Sequence, residues 1–229
     1  METASLVVMQ FGPLAITRTV VTTWGIMFLM AAVSWQIGRR LGPEPDQPQA
    51  AAEGVVTALV DSVRAVLPDH FEPVFPFVAT LWLFIGLANL SSLIPGVHAP
   101  TGDLSATAAL AVLTFLSVHW FGVRIDGVRD YLRHYLTPSP ILLPFHLIGE
   151  LTRTLALGIR LFGNMMSLEM AAILVLLVAG LLVPVPILML HIVEALVQAY
   201  IFGMLALVYI AGGIRSVGSN RSTEERSPQ

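Results

Sequence analysis

Residues 145–182 read FHLIGELTRTLALGIRLFGNMMSLEMAAILVLLVAGLL, and no proline interrupts the chain between Pro144 and Pro184. Taken as one helix the stretch is about 57 Å long at about 1.5 Å per residue. A bilayer hydrocarbon core is only about 30 Å thick. Gly158 and Gly163 do not by themselves force a break, so the stretch predicts one long helix, steeply inclined to the membrane. At its centre lies Leu157-Gly158-Ile159-Arg160-Leu161-Phe162-Gly163-Asn164-Met165. The guanidinium of Arg160 stays protonated at any working pH. At that depth it costs about 3 to more than 10 kcal/mol unless an anion or water meets it, so its presence points to function.

Working outward, the rest of the chain reads the same way. It has 229 residues, 55% hydrophobic and only 12% charged, with a mean hydropathy of +0.78. A soluble domain carries about a quarter of its residues charged. Repeated apolar runs near the roughly 20 residues of a spanning helix predict an all-α integral membrane protein, not a barrel. Spans are expected at about 19–37, 75–93 and 105–121, followed by two long tilted helices at about 145–182 and 187–214. Between the first two spans, Gly42 to Ala51 reads as a Pro/Gln/Ala-rich linker. Beyond it Val56, Leu59, Val60, Val63 and Leu67 recur at helical spacing, with Asp61 and Arg64 off that face. This predicts an interfacial amphipathic helix at about 54–67. The organisation is thus one membrane-embedded domain, 1–215, with a disordered polar tail at 216–229.

Every basic residue is arginine, and the net charge of -3 is too small and dispersed to suggest a nucleic-acid partner. The absence of cysteine excludes disulfides and thiolate sites. The first apolar run lacks a basic leader and a small-residue cleavage site, so it reads as a retained helix. Arg39, Arg40, Arg64, Arg124, Arg129, Arg133, Arg215, Arg221 and Arg226 all fall in the connectors after the first and third spans or in the tail. The loops Val97–Asp103 and Val183–Pro186 contain no arginine. The positive-inside rule then puts the C-terminus and amphipathic segment in the cytoplasm and the N-terminus outside.

Ionisable residues of the last two helices are His146, Glu150, Arg153, Arg160, Glu169, His191 and Glu194, joined by neutral Asn164 and Gln198. At about 100° per residue Arg160 and Asn164 share a face, with Arg153 beneath them. Glu169 lies about 180° away from Arg160, so no carboxylate of that helix faces the arginine. Glu150 and Arg153 are three apart and in reach of each other. His191, Glu194 and Gln198 form one stripe on the final helix. The expected layout is an outer cluster (Glu169, His191, Glu194), a central cation (Arg160) and an inner cluster (Glu150 with His146). Such a layout suits protons or small cations that enter and leave by offset routes. The plainer reading stands beside it: buried Glu and His often only hydrogen-bond between helices. A Glu150–Arg153 ion pair, an Asn164 packing bond and a Glu194–His191 pair are of that kind.

The run from Leu157 to Met165 resembles the signature of subunit a of the F-type ATP synthase membrane sector. Leu196-Val197-Gln198-Ala199-Tyr200-Ile201-Phe202 is similar to that family's last-helix motif, and Asn89 through Pro95 to its second-span ending. The resemblance implies a stator with no catalytic site of its own and no cofactor, in the cell (inner) membrane. Its implied partners are a c-subunit ring, peripheral-stalk b subunits, the rest of the ATP synthase and lipid. It further implies that Arg160 meets the ring carboxylates in turn. Glu169, His191 and Gln198 would lie on or beside an outer half-channel, and Glu150 on an inner one, with Glu194 and Asn164 as further ion-path candidates. The Glu150–Arg160 spacing is about four residues shorter than the usual pattern. That and the short N-terminus resemble an alternate F-type branch in which some members are thought to move sodium; the family default is protons. No phosphate-binding Gly-Lys loop is present. Two rivals come from other classes. A membrane metalloenzyme is prompted by the His146/Glu150 and His191/Glu194 pairs, against which Arg153 and Arg160 would repel metals. The other is a secondary transporter working alone.

Overall fold

The computed structural model of the chain describes residues 7–11, 14–39, 47–94, 97–129, 143–179 and 184–224. Six helices make up the architecture among the described residues: α1 (Arg18–Arg39), α2 (Gln47–Val66), α3 (Phe71–Ser91), α4 (Leu104–Asp126), α5 (Leu143–Ala179) and α6 (Pro184–Glu224). All but α2 contain a stretch long and apolar enough to cross a membrane, as the spacing predicts. A short antiparallel hairpin, β1 (Val7–Phe11) and β2 (Leu14–Thr17), precedes α1 with Phe11 paired to Leu14. The all-α reading describes the membrane-crossing part; the hairpin adds to it, from β-branched positions such as Val7, Val8 and Ile16.

Two boundaries differ from expectation, each for a local reason. α2 begins at Gln47, inside the stretch read as a linker, because Pro48 occupies a first-turn position where its missing N–H costs nothing. α5 is one unbroken helix of 37 residues, as expected of a stretch without internal proline. α6 runs on to Glu224 instead of ending near Ile214, so residues 216–224 are helical and not a disordered tail. The apolar pattern stops at Ile214, but no proline follows until Pro228. Residues 225–229, and Arg40, Arg133 and the turn residue Val183, lie outside the described residues.

Two apolar clusters hold the bundle. One gathers Val63 and Leu67 beside α2, Val74, Val78 and Trp82 of α3, Val118 and Phe121 of α4, and Leu207, Ile210 and Ile214 of α6. The C-terminal half of the face predicted for α2 is therefore the one that packs, whereas Val56 near mid-helix stays exposed. The other cluster joins Leu81 and Ile85 of α3, Leu157 and Leu161 of α5, and Ala199, Phe202 and Ala206 of α6. α1 stands apart, with only Thr19 and Ile26 buried. It is tied to the α3–α4 loop by Thr19, whose hydroxyl donates to Asp103 Oδ2 at 2.9 Å.

α3 and α6 are further tied through polar groups aimed at backbone carbonyls. Trp82 Nε1 donates to Tyr200 O at 3.1 Å, with the two rings stacked, and Asn89 Nδ2 donates to Ala195 O at 3.0 Å. The indole fits only because residue 203 is glycine: a Cβ there would overlap Trp82 Nε1, Cδ1 and Cε2. A rigid ring cannot yield as a flexible chain does. Gly203→Ala is therefore expected to lower stability by about 1–3 kcal/mol. Thermal unfolding of the purified protein checks this, and adding Trp82→Phe should recover part of the loss. Strict additivity of the two changes would rule out the contact as the cause.

Asp103 caps α4, its Oδ1 accepting from the Ser105 N–H and the Ser105 hydroxyl, both at 2.9 Å. Burial pushes its carboxyl upward, but the Ser105 and Thr19 hydrogen bonds outweigh that and hold it below the usual carboxylate range. A depressed carboxylate stabilises the fold above its ordinary range, and the contribution disappears as pH falls through the folded value. Asp103→Ala should cost about 1 kcal/mol near pH 7, as loss of an N-cap does. The difference from the parent should shrink as thermal melts are taken below about pH 4; a constant gap would contradict the charged cap.

Candidate functional site

On α5 the residues Leu157, Leu161, Met165 and Leu168 recur at one face and are all buried. Gly158 presses that helix against α4: a Cβ added there would lie 3.1 Å from Ala111 Cβ and 3.2 Å from Thr107 O. Two residues on, Arg160 points about 160° away from Gly158. The contact with α4 thus turns the arginine outward, and Arg160 is exposed on the bundle surface with Ile159 beside it. Among the described residues no hydrogen bond or ion pair engages Arg160. Arg153, two turns earlier on the same flank, is also exposed.

One turn past Arg160, Asn164 Nδ2 donates to Gln198 Oε1 at 2.8 Å. The bond joins α5 to α6, and Gln198 is buried. Asn164 is thus the helix-packing hydrogen bonder that its residue type suggests, and Gln198 is its acceptor.

Glu169 lies nine residues beyond Arg160, about 13 Å along the helix. It is half-buried on the other flank of the seam, its carboxylate over Gly102 in the 3-10 turn Pro100–Gly102. His191 on α6 is buried, with Nε2 at 2.8 Å from Ser92 Oγ. Because the Ser92 hydroxyl donates to Asn89 O at 2.7 Å, its oxygen is left to accept, and His191 Nε2 is the donor. Glu194, three residues on, is half-buried. Glu169, His191 and Glu194 therefore reach the same end of the molecule. Among the described residues no direct hydrogen bond or ion pair joins Glu169 to the other two. Instead Glu169 and His191 abut the α3–α4 loop at its two ends, Gly102 and Ser92.

Glu150 lies ten residues before Arg160, about 15 Å toward the opposite end. Its Oε2 is 3.5 Å from Nε2 of His119 on α4. The side chain of His146 is outside the described residues. Titratable groups thus flank Arg160 on both sides along α5, Glu150 in contact with α4 and Glu169 against the α3–α4 loop.

A family model described as ATP synthase A chain matches residues 20–211. The chain belongs to the ATP synthase A chain family. It is 68% identical over 216 residues to ATP synthase subunit a 2 of Pelobacter propionicus, covering 94% of this chain and 95% of that protein. Identity is 57% over 208 residues to ATP synthase subunit a of Legionella pneumophila, 90% of each chain. It is 46% over 213 residues to ATP synthase subunit a 2 of a Bradyrhizobium species, 93% of this chain and 96% of that one. As a member of this family the chain is a multi-pass membrane component of an F-type ATP synthase and carries no catalytic site of its own. Family membership replaces the metalloenzyme and stand-alone transporter readings.

Two residues around the site in this ATP synthase chain escape a reading of the last two helices alone. Ser92 is an ordinary helix-end serine in sequence, and only the fold brings it to His191, 99 positions away. His119 carried a usable signal: it is an ionisable group inside a predicted span, the criterion that singled out His191.

Proposed function

We propose that the chain is the stator ion channel of the rotary membrane sector, passing protons to and from c-ring carboxylates across Arg160. The observation that carries the reading is the outward-facing guanidinium on an apolar helix, without a partner among the described residues. A fixed cation in hydrocarbon needs an anion; a carboxylate brought from outside by a moving ring supplies one. A loaded carboxylate is neutral and crosses lipid at tolerable cost. Beside Arg160 the opposite charge favours its ionised form, so the proton leaves. Arg160 also blocks direct passage between the two groups of titratable residues.

In this reading Glu169, His191, Glu194 and Gln198 serve an outer half-channel and Glu150 an inner one. Asn164 steadies Gln198 beside the arginine through their 2.8 Å bond. The distribution of arginines supports an orientation with Gln229 cytoplasmic, so the α3–α4 loop faces outward and the ends of α4 and α6 face inward. The membrane is the cell (inner) membrane. Peripheral-stalk b subunits and the c-ring are the partners. A transmembrane potential contributes about 2.3 kcal/mol per charge per 100 mV, enough over several charges to bias rotation.

Arg160→Ala should abolish proton-driven ATP synthesis in membrane vesicles while leaving insertion and assembly intact. Arg160→Lys should fail nearly as badly, because a compact ammonium does not replace the planar fork. Substantial coupled synthesis in either variant would sink the assignment.

The native chain has no cysteine, so introduced thiols are unique within it. Cysteines at positions 169, 191 and 194 are expected to react with a small water-soluble thiol reagent or Ag+ from the outer side. A cysteine at position 150 should react from the cytoplasmic side. Labelling of all four from one side would mean a continuous pore and would dismiss the two-half-channel mechanism.

A further inference from the structure

His119 is a titratable side chain that α4 brings against Glu150 of α5. Its Nδ1 lies 3.0 Å from the carbonyl oxygen of Phe115. That oxygen can only accept, so Nδ1 carries a hydrogen in every protonation state of the ring. The neutral ring then has its lone pair on Nε2, the atom 3.5 Å from Glu150 Oε2. A carboxylate oxygen and a bare imidazole nitrogen would present lone pairs to each other. A proton arriving at either atom is held between them, as a carboxylic acid donating to Nε2 or as an imidazolium paired with a carboxylate, and the pair is empty again once it leaves. Phe115 also fixes the ring plane, with the two ring centroids 4.4 Å apart. Both residues are partly accessible, with side-chain exposures of 29% for His119 and 24% for Glu150.

Their depth suits a port. His119 is seven residues from the end of α4 at Asp126, and Glu150 seven residues from the start of α5 at Leu143. Each is therefore about 10 Å inside its helix end. Arg124, one turn nearer that end, is exposed.

We propose that His119 and Glu150 form a one-proton relay at the inner half-channel, with His119 as its water-facing member. This rests on the two-half-channel reading given above. In the synthesis direction a proton released from a ring carboxylate protonates Glu150. The O–H bond of that acid then breaks as an Nε2–H bond forms on His119, leaving a carboxylate and an imidazolium. Water on the inner side takes the proton from Nε2, and the Nδ1 hydrogen stays on Nδ1, donated to Phe115 O, throughout. The 3.5 Å separation is an ion-pair distance, and side-chain rotation shortens it to the 2.6–3.2 Å of proton transfer, as such contacts commonly do in use. Hydrolysis-driven pumping runs the same steps backward.

The test uses the complete ATP synthase in vesicles, measuring ATP-driven proton pumping and, after removal of the catalytic sector, passive proton flux, both normalised to assembled complex. His119→Leu should lower both by about 100-fold, the low end of the range for loss of a positioned proton-transfer group. His119→Asn keeps a polar side chain but cannot take up a proton, so it should not restore flux. The double exchange His119→Glu with Glu150→His rebuilds a one-proton pair in reverse order and should restore most of it. Where His119→Leu fails to assemble, the comparison between Asn and the exchanged pair decides. Full flux in His119→Asn, or no gain of the exchanged pair over His119→Asn, would mean that His119 only packs and would overturn the relay. Failure of the underlying reading is separate: it would appear as coupled flux in Arg160→Ala, whatever His119 does.

Discussion

A guanidinium that cannot shed its charge governs how α5 is packed. The helix has to bury one face to belong to the bundle, and it has to keep Arg160 off that face. Leu157, Leu161, Met165 and Leu168 supply the buried seam. Gly158 lets α4 come to contact distance on nearly the opposite side from the arginine. A larger residue at position 158 would push Thr107 and Ala111 away and let the helix roll, and the roll would move Arg160 and Glu169 together because both are fixed to the same cylinder. The close approach of two small-residue faces therefore sets where the charge points. Van der Waals contact at such faces is the usual source of helix association in lipid, where no hydrophobic driving force operates.

Polar groups then lock the neighbours of α5 without filling the seam. α6 receives a bond every turn or two: Ser92 at His191, Asn89 at Ala195, Asn164 at Gln198 and Trp82 at Tyr200. Each is worth only about 0.6 kcal/mol on average in a membrane. Their value lies in register, since a slide of α6 by one residue would break all four at once. His191 and Gln198 thus hold the helix in place and belong to the candidate ion path with the same atoms. The choice between structural polar group and functional one is not exclusive here.

Arg160 was legible in sequence because its cost is local: an always-charged group inside an apolar run needs no tertiary knowledge to be noticed. Asn164 was legible for the same reason of type and spacing. The helices could be counted from their apolar runs, but their ends were less readable, because hydropathy reports where lipid contact stops and not where the backbone stops coiling. That is why α6 passes Ile214 and α2 starts at Gln47. The contacts of His191 with Ser92 and of Glu150 with His119 were not legible, since helical periodicity relates residues of one helix and says nothing of which helix stands opposite. The outer group illustrates the limit. Spacing gathers Glu169, His191 and Glu194 at one end, yet only the α3–α4 loop, with Gly102 under Glu169 and Ser92 against His191, relates them in space.

The length of α5 has its own logic. Its apolar part, Leu147–Val178, has 32 residues, about 48 Å of helix. A straight cylinder of that length held wholly within a core of about 30 Å would be inclined by about 50° from the membrane normal. Glu150 and Glu169 are 19 residues apart in the chain, about 28 Å along the axis. On an upright helix that whole distance would be depth, and a carboxylate carried at one fixed depth could approach one of the two groups and never the other. Inclination turns about 22 Å of it into sideways displacement, by the geometry of the same helix. In the proposed two-half-channel reading the two ports then lie at different positions along the path of a passing carboxylate, with Arg160 between them. On that proposal, an inclined helix with a charge at its midpoint converts a difference in position along a sequence into a difference in position along a rotation, which is what a motor that must load on one side and unload on the other requires.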